Sequence, residues 1–121
     1  MEMISSTRML SSSKKLAKSF TVSVGMNPWP AGSTHSMTVT ALDAYGNVAT
    51  GYRGTIHFTT SDSAASVPAD YTFTAADNGV HTFANTLIPG LTLRTVGTQW
   101  VRATDKTTAS LTGAKTGIVV Q

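Results

Sequence analysis

TALDAYGNVATGYRGTIHFTTSD, residues Thr40–Asp62, decides how this chain is read. It holds two short apolar runs on either side of a cluster of turn residues. DAYGN (Asp43–Asn47) is the first turn signal: Gly46 and Asn47 tolerate positive φ, and the Asp43 carboxylate can bond nearby amides. Gly51 and Gly54 bracket the second. Upstream, Met37, Val39 and Ala41 alternate with Thr38, Thr40 and Leu42; downstream, Ile56 and Phe58 alternate with Thr55, His57 and Thr59. Such alternation is what a strand needs when it buries one face. The stretch therefore reads as strand, corner, strand. Its role is architectural, and His57 is its one candidate functional side chain.

The pattern continues outward in both directions. Seven strands are expected: Ser19–Val24, Thr34–Leu42, Gly54–Thr60, Asp70–Thr74, Gly79–Ala84, Gln99–Thr104 and Ala114–Val120. Leu91–Arg94 either continues or replaces the fifth. The breaks between them are rich in Gly, Pro, Ser and Asn, as in GMNPWPAGS (Gly25–Ser33) and AADNG (Ala75–Gly79). Short strands with regular turn signals and no helical period predict an all-β sandwich.

Length and composition narrow the classes. The 121 residues provide for one domain, divided here into a leader or linker over 1–17 and the β domain over 18–121. The chain has no cysteine, so disulfides, thiolate metal sites and a cysteine nucleophile are excluded. The net charge of +3 is unevenly placed. Within residues 1–18, Arg8, Lys14, Lys15 and Lys18 face only Glu2. In the rest, Arg53, Arg94, Arg102, Lys106 and Lys115 balance Asp43, Asp62, Asp70, Asp77 and Asp105. A balanced body lacks the basic stripe of a nucleic-acid binder. The leader has no continuous apolar stretch of the signal-peptide kind, and no segment has membrane-spanning length.

Three runs then resemble a known family: LDAYGNVATGYRGTIHF, PADYTFTAADNGVHTF, and a Leu-Thr-Leu followed by GTQWVRATD. Together they resemble bacterial Ig-like repeats, whose general pattern is shared with invasin/intimin-type and filamin-like domains. The resemblance covers about residues 18–121. It implies a seven-strand antiparallel Ig-like sandwich of Greek-key type. It also implies a place among tandem repeats of a secreted or surface-anchored bacterial protein, as a spacer or adhesion module without catalytic residues. The expected location is extracellular or cell-surface, and the expected partners are neighbouring repeats. Two segments depart from the pattern: NPWP (Asn27–Pro30) and the long ANTLIPG (Ala84–Gly90).

The fold class lets candidate sites be placed. Loops after the second, fourth and sixth strands of an Ig-like domain share one end. Asp43, Asp77 and Asp105 follow or form those loops, a placement that suggests Ca²⁺. The competing reading is that each aspartate caps its own turn. His35, His57 and His81 fall at different heights and on different sheets, so the three rings are not expected to converge. His81, in phase with Phe83, is expected to be partly buried and bonded to backbone. No G-x-S-x-G elbow exists, although a small His-based hydrolase stays open as an alternative. If Val101 and Ala103 point inward, Trp100 and Arg102 point outward beside His57. With Trp29 also placed as exposed, these residues form a candidate surface for a glycan or protein ligand. Open sheet edges further suggest a weak homodimer.

Overall fold

The computed structural model describes residues 16–121. The leader expected over 1–17 lies almost wholly outside them. Nine strands form: β1 (Ser19–Val24), β2 (Thr34–His35), β3 (Met37–Leu42), β4 (Thr55–Thr60), β5 (Tyr71–Thr72), β6 (Val80–Phe83), β7 (Leu91–Thr92), β8 (Gly97–Asp105) and β9 (Thr112–Val120). A single 3-10 turn, Ala75–Asp77, interrupts them. All pairings between these strands are antiparallel. They make a three-stranded sheet β1-β3-β6, a four-stranded sheet β5-β4-β8-β9, and a small β2-β7 pair.

The alternation seen in the sequence is what builds the core. In β3, Met37, Val39 and Ala41 are buried; in β4, Ile56 and Phe58 are. In β8, Val101 and Ala103 turn inward. Phe83 of β6 meets Phe58 of β4 edge to face at 5.0 Å, so the two larger sheets face each other across these rings.

Where seven strands were expected, the described residues form nine. The second expected strand changes partner at Ser36. Thr34 and His35 pair with Thr92 and Leu91, whereas Met37–Leu42 pairs with β1 and, at residues 37–40, with β6. Ser36 instead accepts a backbone bond from Gly25 at 2.8 Å. The Leu91 segment is thus a strand of its own, which ties the Ala84–Gly90 loop to the start of the second strand.

The chain runs from pole to pole. Ser19, opening β1, lies opposite Leu42 at the end of β3, on the pole that holds the Asp43 turn. Val120, closing β9, lies opposite Gly97 and bridges Trp29 at the other pole. Between the poles, β1 and β9 pack edge to edge without pairing. A Cβ on Gly113 would overlap the carbonyl oxygen of Phe20. Gly113→Ala must therefore push backbone apart, and it is expected to lower stability by about 1–3 kcal/mol. A thermal melt reads that as roughly 4–8 °C per kcal/mol; an unshifted melt would contradict the close approach.

Candidate functional site

The outer face of the four-stranded sheet carries the first group of candidates. Gln99, Val101 and Ala103 are buried, so Trp100 is left half-buried and Arg102 exposed on the opposite side. The Arg102 guanidinium sits over the Trp100 ring at 5.1 Å. Register places Thr59 opposite Arg102, and His57 opposite Thr104. The structure therefore brings Trp100, Arg102 and His57 onto one face. Trp29 is not on it. That residue is fully buried, and its expected exposure is corrected: it packs at 4.8 Å against His35 and donates its indole N–H to the Ser33 carbonyl at 3.0 Å.

His57 has a partner the sequence reading missed. Its Nδ1 donates to Asp70 Oδ1 at 2.6 Å, and Lys106 Nζ reaches Asp70 Oδ2 at 2.8 Å. The Lys106 ammonium first, and then the His57 ring, hold the Asp70 carboxyl below its ordinary range. The signal was present in the register: Thr55 pairs with Thr72 and Ile56 with Tyr71, so the next step sets His57 across from Asp70. A shallow depression of about 430 Å³ opens here, lined by His57, Asp70, Thr104, Asp105, Lys106 and Ala109.

His81 forms the second His–Asp pair, donating Nδ1 to Asp77 at 2.8 Å. Its expected bond to backbone is corrected to this carboxylate. The ring stacks on Tyr71 at 3.9 Å, and Tyr71 also donates its hydroxyl to Asp77 at 2.7 Å. His35 contacts Ser33 Oγ at 2.8 Å, but Ser33 donates its proton to the Pro30 carbonyl at 2.6 Å. His35 Nε2 must then donate to Ser33, the reverse of what activates a serine nucleophile. Among the described residues the His contacts of this kind lie in three places: Ser33 with His35, Asp70 with His57, and Asp77 with His81.

The three aspartates expected to share Ca²⁺ do not converge. Asp43 Oδ1 accepts the amides of Tyr45 at 2.8 Å and Asn47 at 3.0 Å. Asp105 accepts the amides of Thr107 and Thr108, both at 2.8 Å, and a short bond from the Tyr52 hydroxyl. Asp77 is engaged by Thr74, Tyr71 and His81. Among the described residues no three such side chains lie together to hold a metal. The grouping fails because each carboxylate closes its own turn or joins local neighbours.

Asp62 is a further ionisable group that sequence reasoning passed over. It is 2% exposed. Its oxygens accept the Ala64 amide at 2.9 Å, the Arg94 amide at 2.6 Å, the Thr95 amide at 2.9 Å and the Thr95 hydroxyl at 2.6 Å. Burial alone would raise its pKa. The Thr95 hydroxyl, then the Thr95, Arg94 and Ala64 amides, outweigh burial and hold it at about 2. Asp77, opposed likewise by burial, is held at about 2 by the Thr74 amide, His81 and Tyr71. Both values lie below the ordinary 3.8, so both groups stabilise the fold above pH 4. That stabilisation is lost as pH falls from about 4 to about 2, by roughly 2 kcal/mol for Asp62. Denaturant titrations across this window are expected to show the loss; a flat profile would contradict it.

Compared with known proteins, the chain matches no family model, no curated protein and no solved structure.

Proposed function

We propose that this chain is a non-catalytic Ig-like module of a larger bacterial extracellular or cell-surface protein, where it spaces neighbouring modules and takes part in adhesion. One observation carries the reading. The first strand starts at one pole, the last finishes at the other, and the large exposed apolar side chains gather at those poles. Leu16, Tyr45, Val48 and Val80 mark the entry pole; Met26, Leu87, Ile88, Val96 and Val119 mark the exit pole. Ile88 is 93% exposed and Val96 70%. Exposed apolar patches mark contact surfaces, and here they sit where the next module in a chain would abut. The strand orders β1-β3-β6 and β5-β4-β8-β9 agree with a Greek-key sandwich in which the fourth strand has moved to the edge of the second sheet. The spacer reading is tested by joining two copies in series and comparing backbone amide shifts with those of one copy. Shifts are expected around Tyr45 and Val48 of one copy and Leu87, Ile88 and Val96 of the other. Unchanged poles, or shifts centred on a sheet face, would overturn it.

A second reading is favoured by a separate observation. Arg102 is exposed on the outer sheet face and donates to no acceptor among the described residues. An oriented cation with all its donors open is a recognition element, so this face reads as a ligand-binding surface.

A further inference from the structure

We propose that the outer face of the four-stranded sheet binds an acidic polysaccharide, with Arg102 gripping a sugar carboxylate. The inference rests on the binding reading of that face. Its first support is the contrast among the described arginines. Arg53 donates to the carbonyls of Thr50 and Tyr52, and Arg94 to the Ala64 carbonyl and Ser66 hydroxyl. Arg102 has only the indole beneath it, which holds the planar guanidinium without occupying its N–H groups. A planar carboxylate matches that fork with two parallel hydrogen bonds.

Charge supplies the second support. Lys106 is already paired with Asp70, and the five described aspartates are all engaged in hydrogen bonds within the fold. Among the described residues Arg102 has no carboxylate partner on this face, and its complement is an anion. The rest of the face selects the class of anion. Along β8, Trp100, Arg102 and Thr104 succeed one another on the outer side, at about 6.6 Å per step, and Lys106 follows just past the strand's end. Thr59 stands beside Arg102, and the depression at His57 and Thr104 continues the row. Hydroxyls dominate, with Thr55 and Thr72 paired at 2.6 Å and Thr104 and Thr112 at 3.0 Å. The exposed large apolar side chain on this face, Val119, lies beyond the row at the exit pole. A protein partner needs an apolar interface centre, whereas a long polyhydroxylated anion needs a cation, hydroxyls and an aromatic flank.

The test is calorimetric titration of the full chain with polygalacturonate, its fully methyl-esterified form, neutral dextran, dextran sulfate and single-stranded DNA. Polygalacturonate is expected to bind. Binding is expected to weaken about ten- to a hundredfold on esterification, in Arg102→Ala and in Arg102→Lys, each variant melting as the parent does. Equal binding of the ester, of dextran sulfate or of DNA would overturn the carboxylate inference. So would undiminished binding by Arg102→Ala. Binding of neutral dextran that Trp100→Ala abolishes would overturn the acidic class while leaving the binding reading in place. No binding to any of the five would overturn both.

Discussion

Trp29→Ala is expected to destabilise the protein by about 3–5 kcal/mol, against roughly 5–15 kcal/mol for a domain of this size. Three things are lost at once. The indole is fully buried in the core, so its removal leaves a large cavity. Its N–H no longer satisfies the Ser33 carbonyl, and its edge contact with His35 disappears. The backbone around it also closes the exit pole. Trp29 donates to the Val119 carbonyl at 2.7 Å and accepts from Gln121 at 2.9 Å, while Ala31 donates to Gln121 at 2.9 Å. Widening the space beside these bonds loosens the end of β9. Trp29→Phe keeps most of the volume and is expected to recover more than half of the loss. Urea titration of both variants reads the effect as a shift in midpoint with little change in slope. A loss under about 1 kcal/mol for Trp29→Ala would mean that the ring belongs to the surface after all.

Asp62→Ala is expected to cost about 3 kcal/mol or more, because it leaves buried donors without an acceptor. The carboxylate joins the loop after β4 to Arg94 and Thr95, the segment between β7 and β8. With it removed, the amides of Arg94 and Thr95 and the Thr95 hydroxyl lose the acceptor that the structure gives them. Asp62→Asn is the sharper comparison. The amide oxygen can serve one side of the donors, but the NH₂ group then opposes the others, so only part of the loss should return. The Asn variant should also lose the Asp62 share of the stability change between pH 4 and 2. If Asp62→Ala melts with the parent, the loop is held by something other than this carboxylate.

How much of this was legible follows from the range of each interaction. The bounds of β1, and the inward phase of β3 and β4, come from period-two alternation within six residues, which the sequence carries on its face. The turn roles of Asp43 and Asp105 are equally local. Asp105 also meets Tyr52, 53 positions away, and that contact is not local. There the Tyr52 hydroxyl is pushed up by burial and by the facing carboxylate. Trp29 shows the same divide. NPWP carries every mark of an exposed loop, and it is one by backbone, yet its side chain is drawn inward because β9 closes over it some ninety residues later. Asp62 lay at the edge of the stretch that best revealed the fold, but its partners, 32 and 33 residues on, carry no pattern that marks them. The His57–Asp70 pair lies between these cases, since it needed only the register of two strands.

The measurement closest to the central claim is small-angle X-ray scattering from two copies of the chain joined in series. A module that enters at one pole and leaves at the other should give a maximum dimension near twice that of a single copy. A dimension little longer than one copy, with the two packed side by side through their sheets, would contradict the account.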